Sequence, residues 1–577
     1  MKMTKDMLPS GTDSELADRL VKAYEPFDAE GEKFTMKEVG KGTNIFKAEE
    51  TQQNKRKRMD VMKAVLEPYT KAVLNKASIS TSSNLTPYDL RAPSLHLVPW
   101  LSPIRESLPR VKRPSPGTVA HWKAIIANSS SYTRGGAPAT PWINEGQRAP
   151  LISINALNAS ASYASLGVDG NVTWEAESAS QGFEDALASG HFFALETLMV
   201  KEEDALLGGN FSLTLGTANK PVGSITGTGS FTGGPYYAAV MGMTYEGYRN
   251  YVMSNGITST GTPVIPASPS GITQQSTITT LDAKTMTVNW GVGQASSIST
   301  TTASPSSSIS ATFTTTAKTG EIAWAWFIGT SNSTSALYLQ AITTIPSYTF
   351  MAAPTTTGQL LSALNAADYS ANNGTLGGGT NQVTGFDGLL TQAFNNTTLS
   401  PQNAYVLNLA GATLTTGGAG NVVEIDNMLS AMWNQYKVTV DVIYVNAQEL
   451  KNITYRVLNG SSAPLLRVLG DSEGFDVTGF GVISFYHNPY IPGGRKIPIM
   501  VHPTIPPGTI IGWAKNLPSY FKTNSTPNVA EVLTRRDYYS KEWADTTREY
   551  QFGVYAEEVL GVYAPFCLGC ICGIGNG

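Results

Sequence analysis

Cys567, Cys570 and Cys572 lie within six residues and are the chain's three cysteines. Cys-x-x-Cys-x-Cys could ligate a metal, form an intersubunit disulfide, or place small side chains in a core. The apolar surroundings favour the last. The five histidines, His96, His121, His191, His487 and His502, are scattered, with no HExxH or similar metal spacing. They read as structural or surface residues. GTGSFTGG at 227–234 misses the dinucleotide fingerprint, and VGKGT at 39–43 lacks the earlier glycine and Lys-Ser/Thr pair of a phosphate loop. GxSxG is absent. Arg535, Arg536, Asp537 and Glu549 suit internal or intersubunit ion pairs, and their spacing offers no acid–base couple. Catalytic, cofactor-binding and metal residues are therefore all expected to be none, and the chain is read as no enzyme.

The elements that must position any site are marked by charge. Of 84 charged residues in 577, 28 fall in residues 1–77, leaving roughly 11% in the remainder against about 25% in an ordinary globular protein. Between Gly256 and Phe350 the charged residues are Asp282, Lys284, Lys318 and Glu321. A soluble monomer normally keeps a charged surface. A chain that forgoes one is expected to cover its surface with copies of itself.

Length suggests three or four domains. Gly 55 and Pro 32 point to strands and turns, and the net charge of -4 argues against general nucleic-acid affinity. With no cysteine outside the last eleven residues, no disulfide framework holds the body, which fits a reducing cytosol. The N-terminal stretch has no apolar core of signal-peptide length, and no run approaches a membrane span.

Residues 1–77 read as helices, one from Asp13 to about Tyr24 and one from Ala48 until Pro68. Lys55-Arg56-Lys57-Arg58 could touch nucleic acid or form a solvated face beside Glu49 and Glu50. Residues 78–137 begin as a proline-studded arm. Alternating runs over 124–172 suggest a long hairpin poorly supported within one subunit. Thr173 is the expected cap of a helix running to Gly208-Gly209-Asn210, a rod of roughly 50 Å. The Ser/Thr/Gly-rich island 223–350 contains KTMTVNW, SISATFTTT, EIAWAWFIG and ALYLQAITTI. It predicts an immunoglobulin-like sandwich with Trp290, Trp324 and Trp326 as core candidates, its opening YYAAVMGMTYEGY left between island and flanking domain. GQLLSALNAA and FDGLLTQAF read as short helices, 421–437 as an amphipathic helix, and 438–445 as a strand. Asn446 with Glu449 makes a capping-box pattern for the next helix. Strands and turns close the chain.

This order, together with GTVAHWKAI, DNMLSAMW ahead of a strand, HPTIPPGTI and RRDYYSKEWADTTREYQFGVYAEEVLGVYAP, resembles the major capsid proteins of tailed bacteriophages, the Hong Kong 97 fold. The resemblance covers nearly all of residues 80–577 except the island. It implies an α+β capsid fold with a scaffold-like segment (1–77), N-arm (78–137), extended loop (138–172), and spine helix with peripheral domain (173–222). An inserted sandwich (223–350), axial domain (351–468) and closing strands (469–577) complete it. Some members of the family cross-link a lysine of the extended loop to a neighbour's asparagine, and no lysine lies between Lys123 and Lys201 here, so no such cross-link is expected.

The implied function is a shell of hexamers and pentamers forming an icosahedral head. It would enclose double-stranded DNA through weak phosphate contacts, with portal and decoration proteins as partners, no cofactor and no membrane. Assembly would take place in the bacterial host cytoplasm and the product reside in the virion. An encapsulin-like compartment is the alternative, disfavoured by the scaffold-like N-terminus and the inserted sandwich. A secreted immunoglobulin-like adhesin would need a signal peptide. A hydrolase would need an acid pair that is not evident.

Overall fold

Four β-sheets of three or more strands organise the chain, and they are built from segments far apart in sequence. The structure is a computed structural model, and it describes residues 101–113, 117–128, 142–148, 154–180, 185–226, 235–255, 271–301, 310–395, 403–418, 420–458, 483–491, 494–517, 528–544 and 547–576. The expected helices of 1–77, Lys55 to Arg58 and His96 lie outside these residues, as do both glycine-rich loops considered above. Every described residue belongs to one compact unit, 93–577.

The arm contributes helix α1 (Pro103–Ser107) and strand β1 (Arg110–Lys112). Proline at the start of α1 is compatible with helix, since its missing N–H falls where no intrahelical acceptor exists. Strand β2 (Val119–Asn128) then pairs antiparallel with β3 (Ile154–Ser162), and these two form a sheet of their own. The hairpin thus starts a few residues before the expected 124, and well before the extended loop placed at 138–172. Lys123 is on its first strand opposite Asn158, so the hairpin carries a lysine after all. Strand β4 (Ala164–Thr173), expected in the hairpin, instead joins the body.

Thr173 does cap a helix, accepting the Ala176 amide at 3.3 Å, but that helix is α2 (Trp174–Ser180). The spine is a separate helix, α3 (Ala186–Gly208). Asp185 caps it, in extended backbone that no continuous helix could pass through, its side chain accepting the Ala188 amide at 3.0 Å. At 23 residues the rod is about 35 Å, shorter than expected.

Seven short strands follow: β5 (Val222–Thr226), β6 (Tyr236–Met243), then after helix α4 (Tyr245–Asn255) and the hairpin β7 (Gln275–Thr279) and β8 (Thr285–Asn289), β9 (Ser299–Thr301), β10 (Ser310–Thr314), β11 (Ala323–Gly329), β12 (Tyr338–Thr343) and β13 (Ser347–Phe350). A three-stranded sheet, β13-β10-β5, faces a four-stranded one, β12-β11-β6-β9, across a core of Phe313, Trp324, Trp326, Ile328 and Phe350. The other face of β6 and β11 packs Met241, Ala325 and Phe327 against Tyr251 of α4, Ile272 and Leu361. Two sheets are present, but their order is not that of an immunoglobulin domain. Numbering the sandwich strands one to seven, the sheets group 7-4-1 and 6-5-2-3, whereas the immunoglobulin grouping is 1-2-5-4 with 3-6-7. YYAAVMGM is strand β6, inside the island. Trp290 sits outside the sandwich core and donates to Ser276 Oγ at 2.8 Å.

Residues 351–386 stay with the island. The Leu339 amide donates to the Gln359 carbonyl and the Leu361 amide to the Leu337 carbonyl, and Asn289 and Asn372 are bound side chain to backbone. GQLLSALNAA contains a single 3-10 turn, Leu361–Ala363, and FDGLLTQAF gives helix α5 (Leu389–Phe394). Strand β14 (Tyr405–Asn408) and helix α6 (Val423–Tyr436) then open the second half. Ile425, Leu429, Met432 and Tyr436 of α6 are buried, as their spacing predicts.

Strand β15 (Val442–Val445), helix α7 (Ala447–Leu458), β16 (Phe485–Asn488), β17 (Arg495–Val501), β18 (Ile510–Trp513) and, near the end, β21 (Leu568–Cys572) complete the six-stranded sheet β14-β21-β18-β15-β17-β16. Helix α6 lies on it where Gly512 and Gly569 face one another across two strands. A Cβ at Gly569 would stand 2.5 Å from Met428 Sδ, so the glycines seat that methionine. Asn446 caps α7 through the Gln448 amide at 2.9 Å, but Glu449 does not close a capping box. It is buried and accepts the Gly508 amide at 2.9 Å instead.

The remaining strands, β19 (Ala530–Glu542) and β20 (Glu549–Val562), form a long ribbon flanked by β1 and β4 in the order β1-β19-β20-β4. The spine packs on its face through Ala194, Leu195 and Leu198 against Phe552 and Val554.

Candidate functional site

Among the described residues a dense polar cluster lies where the arm, the spine and both large sheets meet. Helix α3 presents Glu202 and Glu203 side by side, each 1% exposed. Glu203 caps α1 from outside it: Oε1 accepts the Ile104 amide at 2.9 Å and Oε2 the Arg105 amide at 2.7 Å. The same Oε1 is 2.6 Å from Nε2 of His502, which follows β17 and is fully buried. Thr504 Oγ1 lies 3.1 Å from the other ring nitrogen.

Glu202 serves the arm's cations. Arg105 Nε donates to it at 3.0 Å, and Arg110 Nη1 and the Tyr538 hydroxyl reach its two oxygens. Arg110 Nη2 spans to Glu558 Oε2 at 2.6 Å and to Asp537 Oδ1 at 3.2 Å. Both guanidiniums lie over the Tyr538 ring, 5.3 Å and 4.5 Å from its centroid. Burial alone would lower the Arg110 pKa, but Glu558 and Glu202 outweigh it and raise it. Burial, then the charge of Glu202, pushes Glu558 up to about 8. Burial likewise raises the Tyr538 hydroxyl. The arrangement is a clasp that joins the arm, the spine helix and the β19–β20 ribbon through buried charge pairs.

The cysteines are elsewhere, in the interior strand β21 and its preceding turn. All three are buried free thiols; burial raises Cys567, and the neighbouring Cys572 with burial raises Cys570. Among the described residues no group of three or more His, Cys, Asp or Glu could hold a metal. Of the described histidines His502 is structural, while His487 and His121 are exposed and His191 lies half-buried, 4.0 Å from the Phe552 ring. The expected ion pairs are internal: Arg535 Nε holds Glu557 Oε2 at 2.5 Å, and Asp537 meets Arg110. Glu549 is bound by Asn171 at 2.7 Å.

A cavity of about 220 Å³ lies at the hairpin root, bordered by Trp122, Ser160, Phe211, Asp387, Asn403 and Leu560. Trp122 Nε1 and Asn403 Oδ1 are buried there without a hydrogen-bond partner. The space is large enough for ordered water and offers no acid–base pair.

Sequence reasoning missed the clasp. Its signals were available: Glu202, Glu203 and Asp204 interrupt an apolar helix face, and Glu557-Glu558 interrupts an apolar strand, in a chain where charge is scarce. No helix among the described residues is long and apolar enough to cross a membrane.

No family model matches the chain, and no curated protein does. Among solved structures, the capsid of a native GTA particle is similar at 7% identity over 87% of this chain and 99% of that one, with a TM-score of 0.37. A cyanophage A-1(L) capsid is similar at 10% identity over 85% and 98%, TM-score 0.35. The SrpI encapsulin of Synechococcus elongatus is similar over 33% of this chain and 57% of that one, at 10% identity and TM-score 0.21. With TM-scores of this size, the functional reading rests on the chain's own architecture.

Proposed function

We propose that the chain is a major capsid protein, its copies forming hexamers and pentamers of an icosahedral phage head around double-stranded DNA. One observation carries this reading: β2 and β3 pair with each other and with no further strand among the described residues. A two-stranded ribbon is marginally stable by itself in water, so it needs a surface beyond itself. At its far end Trp142 is 84% and Ile143 53% exposed. Burying such side chains against a second copy gains about 25 cal/mol per Å² before ordering costs. The sparse charge of residues 78–577 supports the same conclusion.

The role is mechanical, and no residue is assigned a catalytic part. Portal and decoration proteins are the expected partners beyond the shell, DNA contact being weak and through phosphates. The virion is its place, after assembly in the bacterial host cytoplasm. Electron microscopy of the purified full chain tests the proposal. Hollow shells of uniform diameter are the expected result, and particles from infected cells that hold DNA separate a phage head from an encapsulin-like compartment. A monodisperse monomer by light scattering at micromolar concentration would overturn both.

A further inference from the structure

At the clasp, three buried carboxylates confront two guanidiniums. Glu202 and Glu203 are 1% exposed and Glu558 is fully buried, while Arg105 and Arg110 are half-buried. A single guanidinium, that of Arg110, bridges Glu202 of α3 and Glu558 of β20, and takes Asp537 of β19 as well. Glu558 Oε1 is buried and accepts no hydrogen bond, so a proton placed there displaces no donor.

We propose that this junction is a proton-dependent clasp, holding the arm on the body while Glu558 is protonated and loosening as that proton is lost. Glu558 itself meets Arg110 and Glu202, and the clasp's other charged and titratable groups come from the elements packed round them. The arm brings Arg105 and Arg110, α3 brings Glu202 and Glu203, and β19 brings Asp537 and Tyr538. His502, after β17, is bonded to Glu203, and Tyr444 of β15 lies behind it with ring centroids 6.1 Å apart. With Glu558 neutral, Arg110 satisfies Glu202 and Asp537. With Glu558 ionised, a further buried negative charge stands beside Glu202 with no further cation to meet it.

The elements held this way are specific. Strand β1 pairs with β19 from Arg110↔Val532 to Lys112↔Thr534, and α1 ends on Glu203. Opening the clasp frees both. Burial and the charge of Glu202 set the Glu558 carboxyl at about 8 in the closed state, against an ordinary value near 4.5. The closed state therefore keeps a proton that the open state releases across that window. Arm closure is strongest at the acid end, weakens as pH rises, and levels off above about 8.

Hydrogen exchange on the full chain between pH 5.5 and 8.5, corrected for intrinsic rates, reads this directly. Protection of the amides of residues 104–112 should fall up to about tenfold per pH unit and flatten near pH 8, as one released proton requires. Glu558→Gln, with circular dichroism confirming its fold, should make protection independent of pH over that range. Asp537→Asn removes a partly exposed negative charge and should move the plateau to lower pH while leaving the body folded. A flat wild-type profile, an unchanged slope in Glu558→Gln, or an unmoved plateau in Asp537→Asn would each overturn the proposal. The readout is local to the arm and holds whether or not copies assemble, so its failure is distinct from failure of the capsid reading.

Discussion

His502 Nε2 and Glu203 Oε1 stand 2.6 Å apart with neither side chain exposed beyond 2%, joining the spine of one layer to the loop that follows β17 in another. That contact ties the six-stranded sheet to the arm, because Glu203 is also the acceptor for two amides of α1. Removing Glu203 leaves those amides and the histidine unsatisfied together. Glu203→Ala should cost about 3–5 kcal/mol, since each buried donor left unsatisfied costs about 1–3 kcal/mol. A urea titration followed by tryptophan fluorescence checks this, and Glu203→Gln, which keeps one acceptor, should lose less.

Gly569 faces Met428 at a distance no Cβ tolerates. Gly569→Ala should destabilise by about 1–3 kcal/mol through overpacking. Adding Met428→Ala should recover part of the loss, and the double-mutant cycle measures the coupling.

Lys437 ends helix α6 in the left-handed region at φ 58°, its amide donating to the Met432 and Trp433 carbonyls. A side chain there is strained where glycine is not. Lys437→Gly should raise the melting temperature by a degree or more, corresponding to about 0.5–1 kcal/mol, less what is lost from the lysine's approach to the Trp433 ring at 5.9 Å.

The three thiols should be silent in the native chain. Cys567 and Cys570 are buried and raised away from the reactive thiolate, and Cys572 is buried beside Cys570. An aromatic disulfide reagent should titrate none before unfolding and three in concentrated urea, and a chelator should leave the melting temperature unchanged. A fast-reacting thiol in the native state would refute the placement.

Periodicity made the strongly patterned elements legible. The α6 stripe, the four island runs that became β8, β10, β11 and β12, and the closing ribbon all follow from local alternation. Features set by distant partners were not legible. Strand β4 carries the same alternation whether it pairs with β3 or with β20, and its partner is β20, nearly four hundred residues on (Glu549 pairs with Thr173). Short β1 is strand because β19 offers it an edge, not because three residues of Arg-Val-Lys demand it. Asn446 and Glu449 satisfied a local rule, and Glu449 went to Gly508 because burial left that amide needing an acceptor. The sandwich was legible as alternating strands, but its connectivity was not, since seven short strands can be wired in many ways. The clasp was hidden for the same reason: its members come from residues 104–110, 202–203, 502 and 537–558, and no window of sequence contains them.

The interior position of β21 sets an order of events during synthesis. It lies between β14 and β18, so Tyr405 waits for Gly569, its partner in the ladder. Likewise Arg110 waits for Val532. A nascent chain on the ribosome therefore carries an unfinished sheet with open edges until those late segments emerge. The core on that sheet therefore cannot close until synthesis is nearly complete, and until then its apolar face depends on whatever shields it.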